Sequence, residues 1–247
     1  MTLVAEPLPG LPEVAPGDDL GALLAGAAAR LHAPGLAAGD VLAVAHKVVA
    51  KAEGRLRRLA DVSPGPAALE LARRHDKDPR LVELILDESA ELVRADAGRL
   101  IARTHHGFVC ANAGVDQSNA GAEGLAVLLP TDPDASARAL RARLGCAVVI
   151  TDSFGRAWRT GQAEVAIGCA GLEPLADWRG RPDSHGRPLH ATHIAVADQV
   201  AAAADLVRGK DSREPAVRLR GLERHVLGGD GPGAAALLRA REQDLFG

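Results

Sequence analysis

Three apolar runs in this chain break off abruptly into polar residues, and they constrain the fold more than any other feature. "VLAVA" (41–45) stops at His46 and Lys47, "GFVC" (107–110) stops at "ANAGVDQSN", and "AVVI" (147–150) stops at "TDSF". Short continuous apolar runs between turn signals read as strands buried in a sheet. "RLIART", "GLAVLLP", "EVAIGCAG" and "AVRLRG" are further strand candidates. Helical patterns lie between them. "LGALLAGAAARLHA" can be capped by Asp18 or Asp19, and "GPAALELARRH" follows later. "DPRLVELILDESAELVR" reads as one helix, with apolar Leu81, Leu84, Ile85, Leu92 and Val93 and an early Pro. Asp132 opens "DPDASARALRARLG", and "HIAVADQVAAAADLVRG" reads as the longest apolar helix. Strands and helices mix without strict βαβ alternation, so the expected class is α+β, with mixed sheets and flanking helices. "EPLPGLPEVAPGDD" should be extended or loop. The stretch from Asp177 to His190 is the most loop-like interior segment, open to being a lid, a subunit contact or an ordinary surface connection.

Composition narrows the function classes. Apolar residues at 47% favour a packed core over disorder. With no Tyr, three Phe and two Trp, the chain is poorly equipped to stack nucleobases, and a formal charge of −3 argues against a phosphate-backbone surface. No nucleic-acid partner is expected. Cys110, Cys146 and Cys169 lack CxxC spacing and read as reduced, buried thiols, which argues against zinc. There is no basic, apolar leader and no run of the ~20 apolar residues a membrane span needs. A soluble, cytoplasmic protein is expected.

The polar clusters carry the chemistry. In "HKVVAKAEGR", Lys47 and Lys51 would share one face of a helical turn, which suits a polyphosphate or a solvated basic turn. Asn112, Ala113 and Gly114 would let backbone amides approach a ligand. Asp116 offers a hard oxygen of the kind Mg²⁺ or Mn²⁺ prefers, and Asn119 can donate and accept; an Asx-rich turn is equally open. In "ITDSFGRAWR", Asp152 and Ser153 follow a strand and precede Arg156 and Arg159, which suit a phosphate or carboxylate. Together these residues form the inventory of a phosphoryl-transfer or nucleotide-dependent ligase site. His105 and His106 read as structural, and Ser153, with no evident base partner and no GxSxG, does not suggest a triad.

Read in order, "LPGLPEVAPGDDL", "HKVVAKAEGR", "DPRLVELILDESAELVR", "HGFVCANAGVDQSN", "DSFGRAWRTGQAEVAIGCAGL", "LADWRGRPDSHGRPL", "IAVADQVAAAADLVRGK" and "REQDLFG" resemble the coenzyme F420-0:γ-glutamyl ligases, which attach L-glutamate to a deazaflavin cofactor precursor. The resemblance spans nearly the whole chain. It implies one ligase unit over residues 1–247, without the C-terminal flavin reductase domain of some members. It also implies an intertwined α+β homodimer that uses GTP and Mg²⁺ or Mn²⁺, with K⁺ as a further candidate cation. By the same resemblance Pro9, Gly10, Leu11, Pro12, His46, Lys47, Lys51 and Asn119 would contact GTP. So would Arg208, Gly209, Lys210, Asp211, Ser212, Arg213, Glu214 and Pro215. Asp116, Asp152 and Ser153 match metal contacts, with Asp116, Asp152 and Lys51 expected to act in catalysis. Lys210 departs from the acidic or amide residue often found there, Glu164 replaces a shorter polar residue, and His193 and Gln199 replace glutamates. The implied reaction passes a phosphoryl group to the F420-0 carboxylate, and the glutamate amine then attacks the acyl phosphate. A paralogous amide ligase and a non-catalytic nucleotide-binding module are the alternative readings.

Overall fold

The computed structural model describes residues 2–33 and 35–244, so the last three residues of "REQDLFG" lie outside the described residues. Along the chain, β1 (Val4–Pro7) is followed by α1 (Leu20–Ala28), β2 (Val41–Ala45), α2 (His46–Ala52) and β3 (Leu56–Arg58). Helices α3 (Pro66–His75) and α4 (Pro79–Asp87) lead into β4 (Ser89–Asp96), β5 (Arg99–Thr104), β6 (Val109–Ala111) and β7 (Leu125–Val127). Then come α5 (Pro133–Leu144), β8 (Ala147–Arg156), β9 (Arg159–Ala170), β10 (Ala176–Asp177), β11 (His193–Ile194), α6 (Val196–Asp205) and β12 (Ala216–Arg220). The expected α+β class, with mixed sheets and helices, is what the chain adopts.

The principal sheet has the order β1-β12-β2-β8-β9. β2 and β8 are parallel, and the other neighbours are antiparallel. Side chains alternate across a strand, and here both faces are covered. Leu42, Val44, Val148 and Ile150 pack with Leu24 and Ala27 of α1 and Ala137 and Leu140 of α5. Val41, Ala43, Ala147 and Val149 pack on the other face with Val196, Val200 and Ala204 of α6. That double burial is why "VLAVA" and "AVVI" lack polar alternation. A separate core joins Ala68 and Ala72 of α3, Val82 and Ile85 of α4, and Leu100 and Ala102 of β5. It underlies the three-stranded sheet β4-β5-β6.

Several boundaries differ from expectation. The helix foreseen through Val93 ends at Asp87, and residues from Ser89 turn into β4. Two left-handed residues, Ala97 (φ 46°) and Gly98 (φ 77°), close a tight hairpin onto β5, and that pairing outcompetes the helical spacing. Leu92 then packs on the core while Val93 is exposed. α6 starts only at Val196, because His193 and Ile194 pair with β10; its 10 residues are fewer than the 12 of α5. α1 is also shorter than foreseen, with Asp19 as its cap: Ala22 N donates to Asp19 Oδ1 at 2.9 Å. Asp18 instead closes the preceding turn by accepting from Ala15 N at 2.8 Å. β8 continues through Asp152 and Ser153 to Arg156, so Asp152 lies within a strand rather than at its end. All three cysteines are buried and unpaired, and burial pushes each thiol up to about 12. Among the described residues no helix is long and apolar enough to cross a membrane.

β9 runs so close beneath α5 that a Cβ on Gly168 would lie 2.3 Å from Pro133 O, a backbone atom with little freedom to retreat. Asp134 adds to this lock by accepting from Cys169 N at 2.8 Å. Gly168→Ala should destabilise the protein by about 1–3 kcal/mol through overpacking. A thermal melt should register a drop of at least ~2 °C; an unchanged melting temperature would show that the helix yields freely.

Candidate functional site

One end of the principal sheet gathers most of the sequence-selected residues. Leu8 N donates to Ala216 O at 2.8 Å, Ala216 lies opposite Val44, Ala45 opposite Thr151, and Thr151 opposite Ala166. Along this row the chain leaves β1 into Pro9–Pro12, enters β12 from residues 208–215, and leaves β2 directly into α2. The α2 start is fixed when Ala45 N donates to Pro215 O at 2.8 Å.

α2 presents His46 and Lys47 in its first turn. His46 is only 2% exposed, and its Nε2 lies 3.2 Å from Asp152 Oδ1. That contact lacks hydrogen-bond alignment: neither ring nitrogen has a hydrogen-bond partner among the described residues. Lys47 Nζ donates to Asp116 Oδ2 at 2.6 Å, to Ser118 Oγ at 2.6 Å and to Ser118 O at 3.1 Å. Adjacent residues of one helical turn therefore face the two aspartates that the sequence reading paired. β6, which leads into Asp116, packs against β8, which carries Asp152. Lys51 is one turn further along the same helix, buried, and bonded to Glu13.

The backbone of Asp116 is pinned by exchanging both hydrogen bonds with Val127, at 3.0 and 2.8 Å. Its Oδ1 accepts from Ser118 N at 2.7 Å, so the Asx-turn reading of this stretch also holds. Burial acts to raise the Asp116 carboxyl, but the hydrogen bonds from Lys47 and Ser118 outweigh it and leave it below the ordinary range. Asn112, Ala113 and Gly114 are all left-handed. A Cβ on Gly114 would lie 2.6 Å from Leu129 Cγ, so this glycine admits a core leucine rather than a ligand. Asn119 is left-handed (φ 54°) and exposed.

A second cluster lies across the sheet from the first. Strand alternation sends Asp152 to the α1/α5 face, opposite Val165, and sends Ser153 with Glu164 to the α6 face. Ser153 Oγ donates to Glu164 Oε1 at 2.5 Å and accepts from Lys210 Nζ. Arg208 Nη2 lies 2.9 Å from Glu164 Oε2, and it donates to Thr151 Oγ1 at 3.2 Å. Burial acts to raise the Glu164 carboxyl; Arg208, Ser153, Thr151 and Lys210 together hold it below the ordinary range. Ser153 thus does have a carboxylate beside it, contrary to the sequence reading, though one already engaged by an arginine.

The remaining expected residues are accounted for. Leu11 packs in the core, Gly10 turns the chain (φ 66°), and Arg30 Nη1 donates to Gly10 O at 2.8 Å and Pro9 O at 3.4 Å; Pro12 is exposed. In the later loop Gly209 O accepts from Ser212 N at 3.3 Å, Arg213 is left-handed (φ 56°), and Glu214 N donates to Ser212 Oγ at 3.3 Å; Asp211 is exposed. Arg156 and Arg159 sit at the β8–β9 hairpin tip, where Arg156 Nη2 donates to Thr160 O at 2.7 Å. His105 and His106 bond to the carbonyls of Asp87, Pro130 and Thr131, the structural role expected of them. His193 lies 3.5 Å from Asp177. Sequence reading missed Glu13, Ser118, Thr151 and the pairing role of Glu164. Only Ser118, two residues after an aspartate, carried a local signal.

Among the described residues no group of three or more His, Cys, Asp or Glu could hold a metal by itself. Asp116 and Asp152 nevertheless fit Mg²⁺ or Mn²⁺, because Mg²⁺ takes one or two protein carboxylates and completes its shell with water and substrate phosphates. Lys47, Lys51, Arg208 and Lys210 ring the same sheet end, an arrangement suited to anionic groups. The fold and site define an α+β protein whose sheet end gathers carboxylates and cations.

Comparison with known proteins makes the class specific. The chain belongs to the F420-0:Gamma-glutamyl ligase family, whose model matches residues 10–221. It is 46% identical to the Coenzyme F420:L-glutamate ligase of Methanothermobacter thermautotrophicus, over 96% of both chains. Identity to the Methanopyrus kandleri protein of the same name is 47%, covering 99% of this chain and 98% of the relative. A Halobacterium salinarum relative, also so named, is 43% identical over 96% of this chain and 92% of its own.

The Asp116–Lys47 pair has a pH consequence. A carboxyl lowered by folding stabilises the native state above its unfolded pKa, about 3.9, and this contribution is lost as pH falls through the lower native value. Lys47→Met removes the strongest of the lowering contacts and leaves the burial, so the Asp116 pKa should rise. Carboxyl ¹³C NMR titration reads this directly; an unchanged Asp116 pKa would refute the coupling.

Proposed function

We propose that this protein joins L-glutamate to the carboxylate of coenzyme F420-0, using GTP and a divalent cation. The placement of Asp152 beside His46 and of Asp116 on Lys47, two adjacent residues of α2, is the observation that supports this reading. Family membership supplies the substrates: the similar proteins are named as ligases of coenzyme F420 and L-glutamate.

In the proposed reaction a carboxylate oxygen of F420-0 attacks the γ-phosphorus of GTP, and the bond to the β-γ bridging oxygen breaks to release GDP. The amine of glutamate then attacks the acyl carbon; an amide forms, phosphate leaves, and the amine gives up a proton. Mg²⁺ or Mn²⁺ at the two aspartates would supply charge neutralisation for the phosphoryl group. Lys47, Lys51 and Arg208 would bind and orient the phosphates, work that dominates phosphoryl transfer. His46 is buried beside Asp152 and would wall off that side of the carboxylate. No protein nucleophile is called for, in keeping with Ser153 being engaged by Glu164 and Lys210.

Asp116→Asn and Asp152→Asn should each lower turnover at least about a hundredfold, with the fold retained by circular dichroism. The assay is GDP release together with a mass gain of one glutamyl unit on F420-0. Near-normal turnover in either variant would remove the metal assignment. GDP release with a different acceptor alone would point to a paralogous ligase.

A further inference from the structure

Glu164 lies outside the set of residues expected to touch nucleotide or metal, yet it is more deeply buried than Asp116, Asp152 or Glu13. It is 5% exposed. Oε2 forms an ion pair with Arg208 Nη2 at 2.9 Å without hydrogen-bond alignment, while Oε1 accepts from Ser153 Oγ at 2.5 Å and from Lys210 Nζ at 3.4 Å. Two cations from the 208–215 loop thus converge on one buried acid of β9. Pro215 O accepts from Ala45 N at the far end of the loop, and between them the backbone bonds locally: Ser212 bonds back to Gly209 O, and Glu214 N bonds to Ser212 Oγ.

A buried carboxylate is tolerated only while its countercharge stays close. Lifting the loop would strip Arg208 from Glu164 and leave an acid unpaired inside the protein. We propose that Glu164 is a positioning residue that clamps the 208–215 loop onto the β8–β9 hairpin and so holds Arg208 ready for the triphosphate. The two tethers differ in strength. Arg208 is 8% exposed and has further partners in Thr151 Oγ1 and Pro215 O, each at 3.2 Å. Lys210 is 70% exposed and forms the outer tether. Arg208 therefore sets the root of the loop, and Lys210 limits the swing of its tip.

The inference rests on the nucleotide reading above, and two measurements keep the two separable. The first is hydrogen exchange in the ligand-free protein. Glu164→Gln should speed exchange across residues 208–214 and leave the β2 amides unchanged. The second is steady-state kinetics with GTP, glutamate and F420-0. Glu164→Gln should raise KM for GTP about tenfold or more, lower kcat less, and leave KM for F420-0 unchanged. Glu164→Asp, which keeps the charge, should recover part of the loss. Lys210→Met should show a smaller rise in the same constant, and it decides the matter if Glu164→Gln fails to fold. Wild-type exchange and wild-type KM for GTP in the folded variants overturn the clamp, as does a loss confined to kcat. If the unmodified protein releases no GDP, the nucleotide reading falls, and the exchange data alone then judge the clamp.

Discussion

The parallel pairing of β2 with β8 is the constraint on which the site depends. Parallel neighbours run the same way, so both strands pass the same edge of the sheet, with Ala45 opposite Thr151. Just past that edge β2 becomes α2, with His46 and Lys47 in its first turn, and β8 presents Asp152 and Ser153. Had β2 met β8 antiparallel, His46 and Asp152 would stand at opposite ends of the sheet. The antiparallel neighbours complete the edge from the other direction: β12 arrives there from the 208–215 loop and β1 departs there into Pro9–Pro12. Ligand sites at the carboxyl ends of parallel strands are a general consequence of this geometry. Here one parallel pair inside a mixed sheet suffices.

Much of this was legible because burial leaves a compositional trace. "VLAVA" and "AVVI" could be read as central strands, since a strand covered on both faces tolerates no polar alternation. Lys47 and Lys51 could be placed on one helical face from spacing alone. The stretch from Ser89 to Val93 was misread for a physical reason: Leu92 keeps helical phase with Ile85, while the decisive contact is the hairpin to β5. Asp152 looked like a strand end because polar residues begin there, yet β9 pairs with β8 as far as Arg156. Glu13 and Glu164 were illegible as partners, because nothing in a local window shows that a glutamate will meet a cation many residues away.

The pleat divides the charged groups between the faces of the sheet end. Asp152 points with Val165 toward the α1/α5 side, where α2 brings His46. Ser153 points with Glu164 toward the α6 side, where the loop brings Arg208 and Lys210. Consecutive residues of one strand thus serve two separate clusters that meet only at the rim, and a ligand reaching both must lie across the strand ends rather than against one face.

Burial also separates pairs that can exchange partners from pairs that cannot. Four of the cations foreseen as phosphate ligands are already paired: Lys47 with Asp116, Lys51 with Glu13, and Arg208 and Lys210 with Glu164. Lys51 is 7% exposed but Glu13 is 75% exposed, so the acid can swing into water at little desolvation cost and leave the ammonium for an incoming anion. Glu164 and Arg208 are both buried, and neither can leave without stranding the other. Asp116 and Lys47, partly exposed, stand between these limits. The triphosphate and divalent cation of the proposed reaction would carry both countercharges at once, matching the ammonium and the carboxylate of such a pair together. Exchange of that kind would leave neither charge of the pair alone, which on the proposed reading favours the aspartate–lysine pair as the point of entry and the glutamate–arginine pair as its fixed support.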